Sequence, residues 1–203
     1  TVAIRVAFDA AAALESARAP GPRLLDWLGG LGDTALDWDA EATERLLDVL
    51  EFGSDRSWRF LDRTGVLERA LPELAAALRT RRADPYLLDA GQTLRFELVE
   101  ELRRLPADDP QAAAVWARLD QRRLLLLAAL LLDAAGDRGE VAPMAEGLVA
   151  RLGLDAAAQH LVVTLVEERG LLRALAARTD GLSEDAILPA ASHLGTAEAV
   201  RAL

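Results

Sequence analysis

Two histidines, His160 and His193, and no cysteine make up the chain's whole stock of imidazole and thiolate groups in 203 residues. Thiolate nucleophiles, thiolate metal sites and disulfide frameworks are therefore excluded. No elbow motif supplies a serine nucleophile, and the two histidines are read as surface or core-edge residues rather than as metal ligands. Carboxylates are plentiful. Asp133, Asp137 and Glu140 have near-helical spacing, and oxygen ligands alone could hold Mg²⁺. Gly136 and Gly139 interrupt that helix, so the favoured reading puts Asp133 at a helix end, paired with an arginine, and the other acids in a solvated turn. Glu97, Glu100 and Glu101 read as an exposed helix face. The arginine groups at Arg79, Arg81 and Arg82, at Arg103 and Arg104, and at Arg122 and Arg123 are interleaved with acids, which suits solvated helix faces better than an anion site.

The elements that must position these groups are helices. The apolar share is 52% with 4% aromatic residues, and most of it is Ala and Leu, which favour helix over strand. The net charge of −10 excludes a surface that neutralises many phosphates, so nucleic acid is not an expected partner. Every cationic side chain except histidine is Arg and there is no Lys or Asn, a bias that suits a high-GC genome. The run from Leu124 to Leu132 falls short of the about 20 residues that span a bilayer, so no membrane association is expected. The first residues carry no secretory pattern, which makes a cytoplasmic location the expectation. The missing initiator Met suggests processing or an excised fragment.

Along the chain, a helix is expected from Val2 to Ala17, stopped by the breakers Pro20, Gly21 and Pro22. A short segment from Leu24 to Leu28 and a turn at Gly29, Gly30 and Gly32 follow. Asp39 or Thr43 can cap the next helix. Ser54 can cap another that turns Trp58 and Leu61 inward, with Phe60 beside them, and Gly65 ends it. Pro72 marks a fresh first turn after Val66. A helix from Gly91 to Leu105 is expected to close at Pro106, with a loop from Ala107 to Pro110 and a helix from Ala112 to Leu119. The most apolar helix, Leu124 to Ala135, should be central. Four more are expected at Val141 to Leu152, Ala156 to Arg169, Leu171 to Arg178 and Ser183 to Leu194, with no fixed-period repeat.

From about Phe60 onward the order of segments becomes informative. Asp62 to Arg69 and Leu71 to Leu74, then Gln92 to Leu94, Val115 to Leu119, Ala128 to Asp133 and Arg151 to Leu154, resemble the HD domain of the bifunctional uridylyltransferase/uridylyl-removing enzymes that modify the PII nitrogen-signalling protein. The resemblance rests on joint order, because no single piece is specific. It implies an all-α, HD-domain-like helical bundle over residues 59–203, with an N-terminal helical segment over residues 1–58.

It also implies where a metal site would lie. Gln92 stands at the family's first His, and Leu132-Asp133 stands where the family has His-Asp. Val141 lies in the stretch matching a Gly-rich turn and His-Ser, Arg169 lies near a later His, and Ala83-Asp84 lies near another His-Asp. The family's final Asp would fall past Leu203. At Gln92 and Leu132-Asp133, only the Asp remains. A two-metal hydrolase needs several fixed ligands to lower the pKa of water and hold the attacking and leaving oxygens; Leu132 and Val141 have no donor atom, and Arg169 would bring positive charge toward a cation. The expectation is a degenerate bundle without metal or cofactor. Its role would be regulatory or scaffolding, with a PII-like signalling protein or other domains of a parent protein as partner. The alternatives are a metal-dependent uridylyl-removing phosphodiesterase built on an atypical carboxylate site around Asp133, and an unrelated helical interaction module.

Overall fold

The computed structural model describes residues 2–16, 20–32, 35–82, 96–135, 141–171 and 184–203, and every regular element among them is helical. The helices are α1 (Val2–Ala13), α2 (Pro22–Gly30), α3 (Ala40–Phe52), α4 (Asp55–Arg63), α5 (Val66–Ala70), α6 (Pro72–Arg82), α7 (Glu97–Asp108), α8 (Pro110–Arg118), α9 (Arg122–Ala135), α10 (Val141–Arg151), α11 (Ala156–Glu167), α12 (Glu184–Leu194) and α13 (Ala197–Ala202).

Their boundaries follow local chemistry. Asp39, Asp155 and Thr196 each accept a backbone N–H three residues on, at 2.9, 2.8 and 3.0 Å, which satisfies one of the four orphan donors at a helix start. Pro22, Pro72 and Pro110 sit at first helical positions, where the absent N–H costs nothing. After α10, Gly153 is left-handed at φ 69° and the Leu154 N–H returns to the Val149 carbonyl at 3.4 Å, a Schellman-type stop.

Several expected boundaries move. Gly29 and Gly30 belong to α2, and the left-handed residue of that turn is Gly32. Pro106 does not close α7, which continues to Asp108. A proline loses its own N–H bond and crowds the carbonyl four residues back, but it does not stop later N–H groups from bonding, and the Asp109 N–H still reaches the Leu105 carbonyl at 2.9 Å. The expected loop from Ala107 to Pro110 is thereby reduced to one hinge residue. Asp109 ends α7 and caps α8 by accepting the Gln111 N–H at 2.7 Å. The short α13 was not expected. Residues 172–178 of the helix expected from Leu171 to Arg178, and the start of the one expected from Gly91, fall outside the described residues.

The core is centred on α9, which packs against α3, α6, α7, α10 and α11. Leu126, Leu127, Leu130 and Leu131 are all but sealed from solvent. The N-terminal helices share this core: Ile4, Phe8, Leu46 and Leu50 belong to the same contiguous apolar cluster as Leu148, Val162 and Val166. Polar ties cross the same boundary. The buried Thr43 hydroxyl donates to the Leu152 carbonyl and accepts from the Trp38 indole N–H, both at 2.8 Å. Arg123 reaches from α9 to Glu44 and Asp48 on α3 at 3.0 and 2.9 Å.

Candidate functional site

Asp133 stands near the C-terminal end of α9 and is 9% exposed. Its Oδ2 accepts the backbone N–H of Phe96 at 2.6 Å. Burying a carboxylate is costly unless its oxygens are hydrogen-bonded, and here one of them receives the N–H of the residue that precedes α7. That donor residue is itself unusual. Phe96 has φ 58° and ψ 15° and is the one non-glycine residue with positive φ among the described residues, a conformation that is strained for an aromatic side chain.

The Phe96 ring is held as firmly as its backbone. It stacks on Trp58 with centroids 5.0 Å apart and planes 14° apart, and the Arg103 guanidinium lies 5.4 Å from the Trp58 ring centroid, within cation–π range. The Trp58 indole N–H donates to the Val49 carbonyl at 2.9 Å, and Arg103 donates to the Gly53 carbonyl. Gly53 has to be glycine: an added Cβ would stand 2.4 Å from the Val49 carbonyl oxygen.

An acid network lies beside this stack. The Glu15 carboxylate accepts the Ser54 N–H at 2.9 Å, the Ser54 hydroxyl at 2.7 Å and the Ser57 hydroxyl. Burial works to raise the pKa of Glu15, but the two hydroxyls, the N–H and the nearby charge of Arg103 outweigh it and leave the acid below its ordinary range. For Arg103, burial is the largest influence and lowers its pKa against the pull of Glu15, Glu100 and Glu51.

The residues singled out by the sequence are placed as follows. Gln92, Ala83-Asp84, Asp137 and Glu140 fall outside the described residues. Leu132 is half-buried and packs on the core, and Val141 is buried at the start of α10. Arg169 is exposed on the 3₁₀ turn after α11 and donates to the Val166 carbonyl at 3.2 Å. His160 is exposed, and His193 Nε2 lies 2.8 Å from Glu168 Oε1. Glu97 and Glu101 are exposed and Glu100 is half-buried. Among the described residues, no group of three or more histidines and acids is placed to hold a metal ion.

The arginine groups divide. Arg79 and Arg104 are solvated, whereas Arg103 is committed to Trp58 and Gly53, Arg122 to the Trp116 carbonyl at 2.8 Å, and Arg123 to acids of α3. A shallow cleft of about 310 Å³ opens beside Arg122 and Arg123, lined also by Glu51, Leu119, Asp120 and Gln121. Its cations are already engaged within the protein. The Phe96, Trp58, Arg103 and Glu15 constellation escaped the sequence reading apart from the inward Trp58 and the Ser54 cap, because nothing in the spacing links the 3₁₀ turn after α1 with α4 and α7.

Among the described residues, no helix is long and apolar enough to cross a membrane. No family model and no solved structure matches the chain. Curated relatives do. A bifunctional uridylyltransferase/uridylyl-removing enzyme of Novosphingobium aromaticivorans is 32% identical over 163 residues, covering 74% of this chain and 18% of the relative. Enzymes with the same name from Pseudomonas putida and Pseudomonas entomophila are 27% and 28% identical over 194 residues, covering 90% of this chain and 22% of each relative. Residues 60–203 make up well under 90% of the chain, so the likeness extends into the N-terminal helices. The chain spans about a fifth of the length of the curated relatives it matches, and is homologous at low identity to that portion of the bifunctional uridylyltransferase/uridylyl-removing enzymes.

Proposed function

We propose that this chain is a catalytically degenerate HD-like bundle with a regulatory or scaffolding role in a protein related to the uridylyltransferase/uridylyl-removing enzymes. Its partner would be a PII-like signalling protein or neighbouring domains of the same protein. The observation that carries this reading is the engagement of Asp133, the acid retained at the family's His-Asp position, with the Phe96 N–H inside the core.

The residues at the described positions do not fit a family metal. Leu132 and Val141 offer no lone pair, and Arg169 carries a charge of the wrong sign for a cation site. Calorimetric titration with Mn²⁺ and with Mg²⁺, paired with a phosphodiesterase assay on a chromogenic diester, tests the proposal. No stoichiometric binding and no turnover is the expected result, and metal binding coupled to turnover overturns it.

A second reading draws on the printed name of the relatives, which includes uridylyl removal. On that reading Asp133 anchors an atypical carboxylate site, and Asp133→Ala abolishes turnover while helix content stays intact.

A further inference from the structure

We propose that Phe96, Asp133, Trp58 and Arg103 form a releasable strap that holds the α7–α8 hairpin on the bundle, so that the hairpin can open as one unit while the rest stays folded. Besides these groups, the hairpin is held by the packing of α7 on α9, by half-buried Leu102 and Trp116 against the core, and by Arg122 on the Trp116 carbonyl at 2.8 Å. Within α7 the one fully buried side chain is Val99, and α8 buries none. Leu98, Leu105 and Val115 are 38%, 43% and 43% exposed. The two helices are joined through Asp109, and α8 packs principally on α7.

The root of the hairpin differs from its length. At Phe96 three constraints converge: the backbone bond to Asp133, the ring stack on Trp58, and burial to 3% exposure. About two turns on, Arg103 adds the bond to the Gly53 carbonyl and its position over Trp58. The left-handed φ of Phe96 stores strain that opening relieves. A unit with few buried apolar contacts, one strained root and a cooperative set of polar attachments is the kind that opens sub-globally rather than with the whole fold. The strap stands whether or not the bundle keeps any hydrolytic activity.

Hydrogen exchange followed by mass spectrometry on the full chain tests this. Asp133→Leu removes the acceptor and Arg103→Met removes the second attachment, whereas Asp133→Asn keeps an acceptor oxygen. In Asp133→Leu and in Arg103→Met, exchange across residues 97–118 is expected to quicken by about tenfold or more, with α9, α10 and α11 as protected as in the parent protein. Asp133→Asn is expected to restore most of the hairpin's protection. Unchanged exchange in the hairpin, or an equal loss of protection across α9 to α11 in both Arg103→Met and Asp133→Leu, overturns the proposal. If Asp133→Leu does not fold, Arg103→Met and Asp133→Asn decide by the same readout.

Discussion

Helices α8 and α9 are neighbours in sequence and opposites in how they persist. In α9, Leu124, Leu126, Leu127, Leu130 and Leu131 are sealed on several sides by other helices, and Asp133 is buried with them. In α8 no side chain is fully buried, and the helix depends on the Asp109 cap, on Pro110 at its first position and on its packing against α7. A helix of this length is marginal alone in water. The contrast shows that one chain uses two sources of helical order, burial in the interior and local capping with a few polar attachments at the edge.

The sharpest way to break the comparison is to cut the core. Leu127→Ala, at a fully buried α9 position, is expected to cost about 3–5 kcal/mol, read from urea unfolding. A loss under about 1 kcal/mol would mean that α9 is no better packed than α8. Next comes Thr43→Val, which removes the hydroxyl between Trp38 and Leu152 with little change of shape. It leaves a buried carbonyl and an indole N–H unsatisfied, and is expected to cost about 1–3 kcal/mol. A neutral result would show that α10 does not depend on this link to the N-terminal helices.

A third test uses pH. Glu73 is held below the ordinary carboxylate range chiefly by its paired hydrogen bonds with Arg151, at 2.8 Å, and Glu15 is also depressed. A carboxylate with a lowered folded-state pKa stabilises the fold fully above its unfolded value of about 4.3, and that stability is lost as pH falls through the lower folded value. Unfolding free energy should therefore decline below about pH 4.3. In Glu73→Gln the decline should be shallower, with a loss at neutral pH on the order of 1 kcal/mol or less, because Arg151 is partly solvated. An identical acid limb in the variant would remove Glu73 from the account. The smallest effect belongs to the edge: Val115→Ala in α8 should shift stability by no more than about 0.5 kcal/mol.

Fold class was legible because Ala and Leu at helical spacing leave few alternatives, and Pro72, Gly65 and the Asp39 and Ser54 caps act within one turn of their own positions. The boundary at Pro106 was misread for the same local reason. Local rules make proline a stop, whereas the Asp109 N–H carries the helix past it. Asp133 was correctly placed near a helix end from sequence, but its bond to the Phe96 N–H joins residues 37 apart, and no periodic pattern encodes such a pairing.

Composition and short-range spacing thus determined that this protein is helical, lacks thiolate chemistry, and carries an acid at 133 near the end of its most apolar helix. Tertiary structure decided what that acid touches, why Phe96 tolerates a left-handed backbone, and how Glu15, Gly53, Trp58 and Arg103 meet. Local propensity acts through neighbours three or four residues away, whereas these contacts exist only after α1, α4, α7 and α9 have packed and the charges they carry have been withdrawn from water.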